Sequence, residues 1–256
     1  MACFNASVSK QRVCLDIDRV FKGLPETTLA AGLESKLWQN CCARISWPTE
    51  ARGSDGTWPE AKLQPEFGKA LKAVCMDGPI KCCGQTVLEN GLVPDLSFVI
   101  AGEVQATWSS IISCSELERC ILAEHKNFKE GFGMLHPLEH MVLYLFVGQL
   151  ESYLAVAVAK QFSLRGRSFI IGFLSDLERI VFVRAELVNS VLFYFHTPQE
   201  LLFSQVPVGE PTKGFKYLVR LLHAPPASHG YVKVPILFGG STYDAMHLLG
   251  AGRTSN

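Results

Sequence analysis

Three carboxylates and one lysine near the middle of this chain are spaced for metal-assisted attack on a phosphodiester. Asp95 follows Pro94 in the apolar run VPDLSF. Two acidic partners lie downstream: Glu116, in Glu116-Leu117-Glu118, and Glu124, in Glu124-His125-Lys126. Magnesium takes one or two carboxylates, with waters and substrate oxygens completing its shell. A lysine beside it polarises the attacking water and neutralises charge building at phosphorus. An Asp on one strand and Glu-x-Lys on the next meet that need, because alternate side chains of a strand share a face. Asp95 is therefore a candidate Mg²⁺ ligand, with either Glu116 or Glu124 as its partner. Lys126 joins them as a candidate catalytic group. The spacing also arises by chance in many chains. In the competing reading Asp95 caps a turn after Pro94, and Glu124 and Lys126 sit on a solvated face.

Other chemistry is less well supported. His136 and His140 stand four apart, a metal-capable helical spacing, but without the HExxH order. No GxSxG nucleophile elbow occurs. Cys41-Cys42 and Cys82-Cys83 are adjacent pairs that lack the usual gap between zinc ligands. With 9 cysteines and no leader-like opening, free thiols in an intracellular, reducing compartment are expected.

These groups need elements to position them. The chain has 256 residues, is 48% hydrophobic and 19% charged, and has a net charge of zero. That is enough apolar material for one large core. Neutrality gives no overall electrostatic footprint for nucleic acid. The most apolar stretch, HMVLYLFVGQLESYLAVAVAKQF, is interrupted by Gln149, Glu151 and Ser152. It reads as a buried helix, and no membrane partner is expected.

Leu29, Leu33, Leu37 and Cys41 recur every four residues and predict a helix capped near Thr27 or Thr28. Residues 48–62 read as a loop, and a second helix is expected from Pro65 to Met76. LVPDLSFVI and TWSSIISC read as strands. ERCILAEHKNF is ambiguous. A long helix is expected from Pro137 to about Phe162. SFIIGFL and RIVFVRAELV follow as strands joined by a tight link, LFYFHT reads as a third, and GFKYLVRLLHAPP as a short helix. The order predicts a mixed α/β layer on one central sheet. Glu34 could add a helical carboxylate, and Gln149 needs a polar partner inside an apolar helix.

The stretches VPDLSF, TWSSIISCSELE, QLESYLAVAVAKQFSLRGRSFIIGFLSDLERIVFVRAEL and GFKYLVRLLHAPPASHGYVKVP, in this order, resemble the region ahead of the kinase domain in fungal-type protein kinases and Crinkler-type effectors. That region resembles a PD-(D/E)xK nuclease, so the resemblance implies a restriction-endonuclease-like α/β fold with a central mixed sheet flanked by helices. It further implies a Glu-x-Lys whose Glu lies eight residues after a Trp. From Trp108 that position is Glu116, and the lysine position holds Glu118. A carboxylate there adds negative charge where the reaction needs positive charge. The alternative register, Glu124-x-Lys126, restores the lysine but abandons the Trp.

Three segments are expected: an N-terminal arm at 1–24, the nuclease-like domain at 25–240, and a start of a kinase-like glycine-rich loop at 241–256. In HLLGAGRTSN, Gly250 and Gly252 could approach nucleotide phosphates. The kinase lysine and catalytic loop do not follow. Two functions are expected. One is Mg²⁺-dependent cleavage of nucleic acid. The other is a catalytically degenerate domain that regulates a kinase domain of a longer protein or binds a protein partner.

Overall fold

The computed structural model describes residues 11–13, 17–26, 29, 32–47, 59–89, 91–103, 105–117, 137–205, 209–231, 235–238 and 241–244. A short strand β1 (Gln11–Val13) and a single turn α1 (Ile17–Val20) lead into two helices, α2 (Leu33–Arg44) and α3 (Glu60–Val74). Three strands follow: β2 (Ile80–Cys83), β3 (Leu96–Ile100) and β4 (Ile111–Leu117). The long helix α4 (Pro137–Arg165) returns the chain to β5 (Phe169–Ser175), β6 (Arg179–Val188), β7 (Val191–His196) and the short β8 (Glu200–Leu201). Helix α5 (Lys213–His223), a 3-10 turn (Pro226–His229) and a separate hairpin of β9 (Pro235–Phe238) and β10 (Ser241–Asp244) complete it.

The strands form one mixed sheet in the order β1-β7-β6-β5-β4-β3-β2, with β8 paired to β6. β2, β3 and β4 run antiparallel in sequence, and β4 then pairs parallel with β5 across the α4 crossover. A parallel neighbour needs such a long connection, and α4 supplies it. The protein thus has the expected α/β class, with a central mixed sheet flanked by helices.

The sheet carries a core on each face. Helices α2, α3 and α5 cover one face, around Trp38, Phe67, Phe173, Phe182 and Phe215. Helix α4 covers the other through Leu150, Tyr153, Leu154 and Val158, against Trp108, Cys114 and Leu174. Gly172 on β5 sets how close α4 can come. A Cβ there would lie 2.7 Å from the Cys114 carbonyl oxygen and 2.9 Å from Leu154. Val188-Asn189-Ser190-Val191 closes β6 onto β7 with positive φ at both central residues, the two-residue turn whose twist matches the strands.

Part of the stretch read as an arm belongs to the main body. β1 pairs with β7, and Val20, Phe21 and Leu24 are buried. Arg184 donates to the carbonyls of Val20 and Lys22, and Arg220 to those of Leu24 and Pro25.

Two helices differ from the expected bounds. α2 starts at Leu33 after Gly32, which has φ 83°, and Leu33 is 40% exposed. Its buried stripe is Leu37, Trp38 and Cys41 instead. α3 starts at Glu60, five residues before Pro65, and carries that proline inside. A proline gives up one helical hydrogen bond. Leu63, Phe67, Ala70, Leu71 and Val74, all buried on one stripe, outweigh that loss.

Candidate functional site

β3 and β4 bring Asp95 and Glu116 together. Leu96 pairs with Ser115, so Asp95 and Glu116 are the next positions along the same antiparallel ladder. Side chains alternate, and Cys114 packs in the α4-side core while Leu117 packs in the α3-side core. Glu116 therefore projects toward α4, with Cys114. Both carboxylates are buried, Asp95 to 8% and Glu116 to 4% exposure.

Neutral donors surround the pair. The Leu117 peptide N–H donates to Asp95 Oδ2 at 2.8 Å. Gln64 of α3 donates its amide to Asp95 Oδ1 at 3.1 Å, and Gln85, just past β2, does so at 3.4 Å. Gln149 of α4 donates to Glu116 Oε2 at 3.3 Å and to the Tyr153 hydroxyl at 2.8 Å. Gln85 and Gln149 are exposed, so the pair lies just beneath the surface.

Two neighbours register this negative field. The Tyr153 hydroxyl titrates above its ordinary value, chiefly through burial, with Glu116, Cys114 and Asp95 adding to the rise and the Gln149 hydrogen bond opposing it. Burial likewise pushes the Cys114 thiol well up, and the Glu116 charge adds to the effect.

Magnesium would need hard oxygen ligands at this pair. Asp95 and Glu116 supply hard oxygens, as the ion requires. Yet Asp95 Oδ1 already takes two amide donors and Oδ2 takes a peptide N–H. A cation at Asp95 would share a carboxylate that already accepts three hydrogen bonds. As arranged, Asp95 is held by hydrogen-bond donors on both oxygens. Among the described residues, no group of three or more His, Cys, Asp and Glu side chains is gathered to hold a metal ion.

Glu118, Glu124 and Lys126 lie outside the described residues, as do Gly250, Gly252 and His136. Glu34 on α2 is half-exposed, and the helix that meets Asp95 is α3, through Gln64. Sequence reasoning missed Gln64, Gln85 and Tyr153. Gln64 falls just before the helix start that Pro65 suggested, and a glutamine in a loop has no periodic signal. Gln149 was detectable as an amide inside an apolar helix, and it does reach the site.

At the other end of β4 stands a buried cation. Arg167 is 2% exposed. Its guanidinium donates to the carbonyls of Ile111 and Ile112 at 2.9 and 2.8 Å and to Gln161 Oε1 at 2.6 Å. Gln161 also donates to the Trp108 and Ile111 carbonyls. His229 is fully buried near this charge. Burial first, and Arg167 second, lower its pKa to about 3, while the Leu221 carbonyl pulls the other way.

Among the described residues no helix is long and apolar enough to cross a membrane. No protein-family model and no curated protein matches this chain.

Proposed function

We propose that this chain is a catalytically degenerate, nuclease-like domain that binds or regulates a partner, a kinase domain in a longer protein. One observation carries the first half of this reading. Asp95, the residue on which metal-dependent cleavage would centre, spends both oxygens on a peptide N–H and two glutamine amides. A carboxylate so engaged is a strand cap that ties β4 to α3 and to the end of β2. The sequence agrees, since Glu118 stands where the resemblance calls for lysine. Zero net charge supports the same side, because phosphate contacts dominate affinity for nucleic acid. The kinase partner rests on the resemblance alone.

The second reading is Mg²⁺-dependent phosphodiester cleavage. The meeting of Asp95 and Glu116 on adjacent strands favours it. Nicking of supercoiled plasmid in Mg²⁺, by wild type and by Asp95→Ala, separates the two. The degenerate reading expects no Mg²⁺-dependent nicking above the level of the variant. Nicking by the wild type that Asp95→Ala abolishes would establish the nuclease instead. The regulatory half is tested by phosphotransfer in the longer protein with and without residues 25–240. An unchanged rate and no binding between the two parts would remove it.

A further inference from the structure

The C-terminal end of α2 and the segment after β8 enclose a cavity of about 410 Å³. Trp38, Cys42 and Ile45 fall at i, i+4 and i+7, so one face of the helix and its cap forms the floor. Phe203 continues that floor, its ring stacked on the Trp38 indole at 5.6 Å with 13° between the planes. Phe215 meets the same indole edge-on at 5.0 Å and so fixes its plane. Trp38 is 2% exposed, while Trp47, which also lines the cavity, is half-buried and offers more of its indole.

Bonds outside the cavity hold these walls. The Ser46 peptide N–H donates to Glu66 Oε2 of α3 at 2.8 Å, which anchors the chain between Ile45 and Trp47. The Phe203 N–H donates to the Leu177 carbonyl, and the Thr212 hydroxyl to the Leu202 carbonyl at 2.6 Å. A pre-formed, mostly apolar cavity of this volume falls in the range of small-molecule sites, about 300–1,000 Å³.

Two features narrow the ligand. Among the described residues that line the cavity none carries a charge, and burial raises the Cys42 thiol, which keeps it neutral. A charged group would lose its water here without gaining a counter-ion. The exposed side chains of Gln39 and Gln205 also border the cavity, and each amide offers donors and an acceptor. Aromatic walls favour a flat ring. A glutamine amide in turn matches a ring edge that sets an acceptor beside a donor, as N7 and N6 of adenine do.

We propose that this cavity binds a neutral purine-type ring, as a free base or nucleoside, stacked against Trp47 over the Trp38 floor and met at its edge by Gln39 and Gln205. A phosphate would find no cation on these walls, which selects a nucleoside over a nucleotide. The inference stands on the α2 cavity and does not depend on how the carboxylate pair is read.

Titration of the folded, isotope-labelled chain with adenosine tests this, followed through the tryptophan indole N–H signals. Those of Trp38 and Trp47 should shift together and saturate, with a dissociation constant below about 1 mM. Trp108, in the core under α4 on the other face of the sheet, should not move. Adenosine monophosphate should bind no more tightly than adenosine, and benzoate at least about tenfold more weakly. Gln39→Ala changes an exposed position and should weaken adenosine about five- to tenfold. Cys42→Phe fills the cavity and should abolish the adenosine-dependent shifts. Three results overturn the proposal: no saturable shift with adenosine, shifts that spare Trp38 and Trp47, or benzoate or the monophosphate bound more tightly than adenosine. The wild-type titration decides this without any variant.

Discussion

The two ends of β4 handle buried charge in opposite senses. At its C-terminal end, Asp95 and Glu116 place two carboxylates beneath the surface, served by a peptide N–H and three glutamine amides. At its N-terminal end, Arg167 places one guanidinium, served by two carbonyls and a glutamine oxygen. In both places neutral dipoles accompany the charge, some from the backbone and some from glutamine. Burying an ion is expensive unless fixed dipoles replace its water. The difference lies in exposure. Arg167 and Gln161 are both buried, while Gln85 and Gln149 at the acidic end are exposed. The basic end is a sealed staple between α4, β4 and the start of β5. The acidic end lies just beneath the surface, under two exposed glutamines.

The comparison breaks most readily at Arg167. Arg167→Ala removes the donors for Ile111, Ile112 and Gln161 together and leaves a cavity where a fully buried side chain stood. A loss of about 3–5 kcal/mol is expected, the range for leaving buried partners unmatched. Arg167→Lys keeps the charge but cannot reach three acceptors from one nitrogen with the same geometry, so a loss of about 2 kcal/mol is expected. Urea unfolding monitored by tryptophan fluorescence measures both. A loss for Arg167→Ala below about 1 kcal/mol would mean that the staple is ornamental.

The same end carries a pH signature. His229 has its folded pKa lowered to about 3, against an ordinary value near 6.5. Its neutral form is therefore the folded form. The stability it contributes is complete above about pH 6.5 and is lost as pH falls toward 3, because the unfolded chain takes up the proton first. Unfolding free energy should fall by a few kcal/mol over that window. In His229→Gln the part of the slope between about pH 6.5 and 4.5 should flatten, while the carboxylate part below it stays. An unaltered slope in the variant would assign the acid sensitivity elsewhere.

Much of the fold was legible because its elements are strongly periodic. β5, β6 and β7 are long apolar runs bounded by turns, and α5 shows the helical repeat. The short β1, β2 and β8 carry too few residues for any period to register. Pro65 hid the first turn of α3, and with it Gln64. At the site, Asp95 could be recognised beside Pro94, and Glu116 by its distance from Trp108. Its partners could not be recognised. Gln64 and Gln85 lie 31 and 10 residues from Asp95, and only the sheet register brings them to one carboxylate. Amides also carry no charge that a sequence pattern would flag. Residue spacing points to Asp95 as a metal ligand, and only the fold shows the hydrogen-bond donors that meet it.

The smallest expected effect tests that last point. Asp95→Asn keeps the size of the side chain and presents one oxygen and one amide nitrogen. If the oxygen stays toward Leu117, the nitrogen then faces the amides of Gln64 and Gln85, donor against donor. Those glutamines can rotate to offer their oxygens, so the loss should be modest, about 1 kcal/mol. Asp95→Ala leaves the Leu117 N–H without its acceptor and should lose about 2 kcal/mol. A capping role predicts this ranking, with Asn milder than Ala, in unfolding measured without divalent ions. A site kept for a cation predicts the reverse sign, because two adjacent buried carboxylates repel when no ion separates them. Stabilisation by Asp95→Asn, together with a gain in wild-type melting temperature on adding Mg²⁺, would transfer the acidic end of β4 from cap to metal site.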